Sequence, residues 1–383
     1  MLNSPDSGKI FFLASSLVTG GAEVIVRDLA EYISYTGFEV QFLCLHRPGQ
    51  IGRELIDSGF EVKSGISRGR FDFGTYFRLF RIFNKNKEAV LFSLDHHNAI
   101  FWGALAAKAA RLNKTVLSLH STRLSGEDRN FNIIDRLVLP VYKKIIALSK
   151  RHAEYLVEEE GINKGRVTII NNGVDIHRFH PIDSEGERKE YKRKFSIPEN
   201  NLAVTIVAAI RPEKNHDIFL DAAFSISKKR RDITFIIAGD GKGRMRLEKK
   251  VDEMSIKDRV IFLGNRNDIP EILSATDISV LCSDMEILPL TVLEAMSAGL
   301  PVISTDVGSL SEIIRNGRDG VLIDSKDAVS LAGAIEKLAD DKGTRLEMGK
   351  SARERILERF TKKTMLKQYK KLFKELSFTT KEN

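Results

Sequence analysis

Short apolar runs alternate with longer stretches of helical spacing along most of the chain. KIFFLAS is followed by AEVIVRDLAEYIS, EVQFLCL by RELIDSG, AVLFSL by AIFWGALAAKAA, and KKIIALS by KRHAEYLVEEEG, while TVLSLH and RVTIINNG are further runs of strand length. Runs of Val, Ile, Leu and Phe without polar alternation fit strands buried on both faces. Such strands separated by helical segments fit a parallel sheet with crossover helices. The first half therefore reads as a doubly wound α/β domain. The pattern breaks in GVDIHRFHPIDSEGERKEYKRKF, which is polar, carries Pro181 and Gly186, and reads as a linker. It resumes with LAVTIVAAI, DITFIIAGD, RVIFLG, ISVLCS, PVISTD and GVLI, a second domain of the same kind. Two such domains predict a cleft at the carboxyl ends of their sheets, where ligands bind in open α/β folds.

A length of 383 residues agrees with two cores. No window approaches the roughly 20 apolar residues that span a bilayer. The apolar start KIFFLASSLV is preceded by Lys9 alone among basic residues, with Pro5 and Asp6 in place of a basic leader, so it reads as a first buried strand. Cys44 and Cys282 sit in apolar runs with no disulfide or metal-ligand spacing, which fits a reducing cytoplasm. The net charge of +8 is spread evenly, with 23 Lys+Arg against 19 Asp+Glu in residues 1–175 and 37 against 33 in the rest. Neither half is a nucleic-acid arm, and no nucleic-acid partner is expected.

The chemistry concentrates in DMEILPLTVLEAMSAGLPVISTD. After the strand run ISVLCSD comes an irregular loop and then a helix, TVLEAMSAG, closed by Gly299 with Pro301 beyond. That helix start lies at the carboxyl edge of the sheet, where free amides and the positive dipole end suit a phosphate. Glu286 in the loop and Glu294 one turn into the helix can accept hydrogen bonds from sugar hydroxyls on either side of a bound diphosphate. The plain alternative is that Glu294 serves the helix dipole and Glu286 is a solvated loop residue.

The segment EILPLTVLEAMSAGLPVIST resembles the E-x7-E motif of family 4 glycosyltransferases of the GT-B fold, matching at Glu286, Pro289, Glu294, Ala295, Met296, Gly299 and Pro301. The resemblance implies that Glu294 holds the ribose hydroxyls and Glu286 approaches the donor sugar. The amides from Leu290 and Thr291 to Val292 would meet the diphosphate. Ile287, followed by Leu288, stands where the family has Gly, and its side chain would reshape the donor-sugar pocket. Other segments match in family order, from about residue 10 to about residue 360. LVTGGAE places Gly20 and Gly21 in a loop that lets backbone approach a ligand. TVLSLHSTR places His120 at the family's active-site histidine, and DHHNAI offers Asp95, His96 and His97, of which Asp95 and His97 would touch the acceptor. NNGVD matches the bridge into the second domain. AAIRPEKNHD matches the family's diphosphate-gripping segment at Lys214, but Ala209 stands at its arginine, leaving Arg211 as a substitute donor ligand. Gly239, Gly264 and Gly308 match loops that pass the nucleotide or sugar.

The implied protein is a GT-B chain with an acceptor-side domain at 1–175, a nucleotide-sugar domain at 176–361, and a helix at 362–383 that crosses back with Met365, Tyr369, Leu372 and Leu376 inward. The implied activity is retaining transfer from a nucleotide sugar, UDP above all, to a glycan or lipid-linked hydroxyl in cell-surface polysaccharide or glycolipid synthesis. No D-x-D triplet occurs, so no metal and no cofactor is expected. A nucleotide-sugar epimerase and a non-catalytic donor-binding protein are the rival readings. RGRFDFGTYFRLFRIFNKNK puts Tyr76, Leu79, Phe80 and Phe83 on one helical face and Arg78, Arg81 and Lys85 opposite. It is either a core helix with a solvated basic side or a docking face for an anionic membrane, which would make a cytoplasmic chain peripheral on the inner face.

Overall fold

The computed structural model describes residues 8–18, 20–69, 72–94, 96–120, 133–182 and 184–378. The chain divides into two compact units, and each is an α/β unit built on one wholly parallel sheet. Among the described residues, the first takes those up to Asn171 and from Met365 onward, and the second takes Asn172–Thr364.

The first sheet contains β1 (Lys9–Ala14), β2 (Glu39–Cys44), β3 (Glu61–Lys63), β4 (Val90–Leu94), β5 (Lys114–Ser118), β6 (Lys144–Ala147) and β7 (Val167–Ile169), in the order β3-β2-β1-β4-β5-β6-β7. β1 shows why its sequence is an unbroken apolar run. Phe11 and Leu13 enter a core shared with Leu79, Phe83 and Trp102. Phe12, facing the other way, stacks on its register partner Phe42 at 5.2 Å and meets Phe92 at the same distance. The second face is closed by the last helix, Lys362–Phe378, whose Tyr369 and Phe373 pack edge-on against Phe92. Met365, Tyr369 and Leu372 are buried as expected. Phe373 is wholly buried as well, whereas Leu376 is only partly so, which corrects the inward set.

The second sheet contains β8 (Leu202–Val207), β9 (Ile233–Ala238), β10 (Val260–Gly264), β11 (Ile278–Leu281), β12 (Val302–Thr305) and β13 (Gly320–Ile323), in the order β10-β9-β8-β11-β12-β13. The boundary expected after residue 175 lies a few residues past the division at Asn171 and Asn172, because Val174 already bridges Thr361 and donates its amide to the Phe360 carbonyl. The stretch read as a linker is largely structured. Glu185–Lys194 is a helix of the second unit, with Ser184 Oγ accepting from the Glu187 amide, acids in the first turn and bases in the last. Caps and dipole complementarity make this helix without an apolar stripe in its sequence.

Helix Gly74–Asn84 buries Leu79 and Phe83, with Tyr76 and Phe80 packed beside them, as its spacing predicted. Its expected basic face is smaller than the sequence implied. Arg78 pairs with Asp72 and donates Nε to the Ile66 carbonyl at 2.6 Å, leaving Arg81 and Lys85 exposed beside Phe77. Among the described residues no helix is long and apolar enough to cross a membrane.

Candidate active site

In the second unit the strand order reverses between β8 and β11, the position where open parallel sheets bind ligands at their carboxyl ends. The loops that leave these two strands are tied together. Pro212–Lys214 is a single 3-10 turn stopped by Asn215 in the left-handed region at φ 50°. The Asp284 amide donates to the Glu213 carbonyl at 2.8 Å, and Asn215 Nδ2 donates to Asp284 Oδ1 at 3.0 Å. Lys214 Nζ then reaches Glu286 Oε1 at 2.5 Å, and the same oxygen accepts from Ser283 Oγ at 2.6 Å. Glu286 is 7% exposed, so its carboxylate is held in place by one charge and one hydroxyl. Gly308 fixes the other side: at φ +55° a Cβ there would lie 1.6 Å from the Glu286 carbonyl oxygen, so only glycine lets these backbones meet.

Glu294 lies in helix Leu290–Ser297, whose start at Pro289 has no side-chain cap. The first amides, from Leu290 and Thr291 onward, are thus left for solvent or an anion. Burial pushes the Glu294 carboxyl up to about 7, only partly opposed by Arg178. A perturbed carboxyl beside an uncapped helix start is the kind of group found at functional sites. Ile287 and Leu288 are nearly fully buried, so what they offer to a ligand is chiefly backbone. Gly239 and Gly264 pair as an isolated bridge, which draws the ends of β9 and β10 together near the Ala208 carbonyl.

Arg211 is placed differently from Lys214. Its side chain is 63% exposed with Glu213 as its carboxylate neighbour at 3.9 Å, and it lines a cavity of about 790 Å3 with Ala209 and His216. His216 carries no mark of its own in the sequence. It is 2% exposed, neither ring nitrogen is in hydrogen-bonding geometry although the Ala208 carbonyl is nearby, and burial lowers its pKa to about 4. The only signal was its place directly after PEKN, in a motif whose interest lay in the lysine.

In the first unit the order reverses between β1 and β4. Gly20 precedes helix Gly21–Ser34 as its N-cap residue in an extended conformation, so its φ alone does not demand glycine. His96, between the expected acceptor residues, ties the two loops: the Ser15 amide donates to its Nδ1 at 3.2 Å, and Nε2 lies 3.9 Å from Glu23 Oε1. His97 opens helix His97–Ala109, and Asp95 lies outside the described residues. His120 follows β5, its Nε2 2.9 Å from Ser118 Oγ. Each unit therefore gathers its motif residues at its own switch point, Lys214, Glu286 and Glu294 in the second, Gly20 and His96 in the first with His120 one strand on.

Residues 187–355 match the family model described as glycosyl transferases group 1, and residues 19–178 match the model for glycosyltransferase family 4. The chain is 30% identical over 297 residues to the UDP-Gal:alpha-D-GlcNAc-diphosphoundecaprenol alpha-1,3-galactosyltransferase of Escherichia coli, covering 76% of each chain. It is 26% identical over 364 residues to the N-acetyl-alpha-D-glucosaminyl L-malate synthase of Bacillus anthracis, covering 92% of this chain and 93% of that one. Among solved structures it resembles the Anabaena protein HepE in complex with UDP-glucose, with a TM-score of 0.82, 22% identity and coverage of 95% and 98%. A glycosyltransferase from Rickettsia africae gives a TM-score of 0.86 at 19% identity, covering 98% and 100%. The fold is GT-B.

Proposed function

The chain belongs to the family 4 glycosyltransferases, and from that premise we propose that it moves a sugar from a UDP-sugar to a hydroxyl of a glycan or lipid-linked acceptor, with retention and without a divalent cation. The observation that carries this reading is the Lys214–Glu286 pair at the β8/β11 switch point beside the uncapped start of helix Leu290–Ser297. A donor diphosphate on that helix start takes the Lys214 ammonium as counter-charge, which stabilises the departing UDP as the glycosidic bond breaks. Glu286 then faces the sugar, and Glu294 accepts from the ribose hydroxyls once it is ionised. With Lys214 and the helix amides neutralising the diphosphate, the chemistry leaves no role that a metal must fill.

The choice of UDP rests on the Escherichia coli relative, which by its name uses UDP-Gal and a diphosphoundecaprenol acceptor. That acceptor also supports a lipid-linked substrate in glycolipid or polysaccharide synthesis here. His120, held by Ser118, and the His96 region serve as the acceptor-side polar groups. A cytoplasmic chain working on such an acceptor docks on the inner membrane face, and exposed Phe73 and Phe77 with Arg81 and Lys85 supply the apolar and basic contacts. Incubation with candidate UDP-sugars and acceptors tests the reading. Free UDP together with glycosylated acceptor is expected. An isomerised sugar would indicate an epimerase, and binding without product a donor-binding module.

A further inference from the structure

At the amino-terminal edge of the second sheet, opposite the edge carrying Lys214 and Glu286, a cavity of about 410 Å3 opens where β8, β11 and β12 begin. Its wall holds Arg188, Lys189, Lys192, Lys342 and Arg345. The carboxylate enclosed with them is Asp277, 2.7 Å from Arg188 Nη2 and 3.4 Å from Lys192 Nζ; the other wall acids, Glu185 and Glu199, have side chains 84% and 39% exposed. Lys192 also donates to the carbonyls of Glu199 and Asn201. Arg345 is 9% exposed and gives Nη1 to the carbonyls of Leu338 at 2.5 Å and Ala339 at 3.3 Å, leaving Nε and Nη2 for another acceptor. Burial lowers the pKa of both Lys192 and Arg345, with Arg188 adding to the effect. Buried charges are ordinarily paired. Here Asp277 pairs with the buried Lys192 and the partly exposed Arg188, while the buried Arg345 has carbonyls as its partners. At the rim Lys189 lies 3.8 Å from the exposed Glu185, with Lys342 nearby.

We propose that this cavity is a second ligand site, remote from the transfer chemistry, for a small phosphorylated molecule. Its phosphate oxygens accept from the open side of the Arg345 guanidinium, a geometry that suits phosphate, with Lys189 and Lys342 completing the charge. The volume is several times that of a bare ion and lies in the range of small-molecule pockets, so the ligand carries an organic part beside its phosphate. The site does not depend on the donor assignment.

The test is isothermal titration of the full chain with glycerol 3-phosphate at constant ionic strength. Saturable binding is expected, weakened about tenfold in the Lys189→Glu/Lys342→Glu double variant, the factor that corresponds to about 1.4 kcal/mol. Lys214→Ala is expected to bind as the native chain does, which separates this cavity from the donor site. Lys342 is exposed and Lys189 half-exposed, so the double variant keeps the fold. Absence of saturable binding, equal binding by the double variant, or loss of binding in Lys214→Ala would each overturn the proposal and leave the cations as a knot tying helix Glu185–Lys194 to the sheet.

Discussion

Glu294 couples stability to function through a single carboxyl. Its folded value of about 7 stands above the reference of 4.5, so the fold favours the protonated form. The penalty is absent below about pH 4.5, grows as pH rises through the window up to 7, and is full above it. Glu294→Gln should therefore raise stability at pH 8 by about 3 kcal/mol and leave it nearly unchanged near pH 4.5, which thermal unfolding at the two pH values checks. The same variant should bind UDP more weakly at pH 8, since an amide replaces the ribose-accepting carboxylate. Lys214→Ala should lose about 1.5 to 3 kcal/mol of UDP affinity by calorimetry. Arg211→Ala should lose much less, because its side chain stands out in solvent by Glu213. Motif order pointed to Glu286, Glu294 and Lys214 from the sequence. The hydrogen bond between Lys214 and Glu286 was not legible there, because it depends on β8 lying next to β11 across 72 positions of chain. His96 was seen only as part of a histidine pair; its bond to the Ser15 amide depends in the same way on β1 neighbouring β4.

Elements were legible where burial writes a period into the sequence. β1 and β9 are continuous apolar runs because both their faces are covered, and both were read correctly. β3, with the sequence EVK and no fully buried residue, is an edge strand that leaves no such signal, and helix Glu185–Lys194 is formed by its cap and charges. The last helix illustrates what burial contributes. Phe373 is wholly buried against Phe12 and Phe92, so Phe373→Ala should cost about 3 to 5 kcal/mol and destabilise the first unit, measured by denaturant unfolding. Helix Gly74–Asn84 and the residue before it expose Phe73 at 73% and Phe77 at 58%, apolar area of the kind that marks an interaction surface when clustered. Replacing Phe73, Phe77, Arg81 and Lys85 by Ser should abolish co-sedimentation with anionic vesicles and leave binding of UDP intact. Equal sedimentation of both proteins would return the helix to a purely structural role.

At the scale of the whole molecule, two parallel sheets of the same winding each have a switch point, and the chain returns from the second unit to the first at Met365. This repetition was readable from the restart of apolar runs after the polar break. Lys214, Glu286 and Glu294 are proposed to support glycosyl transfer with retention and no metal. NMR of the product formed from an α-linked UDP-sugar in excess EDTA checks this, by the coupling of the new anomeric proton. An α-linked product is expected, and its rate of formation should fall strongly in Glu286→Gln while donor affinity changes little. A β-linked product, or activity lost in EDTA and restored by Mg²⁺ or Mn²⁺, would contradict it.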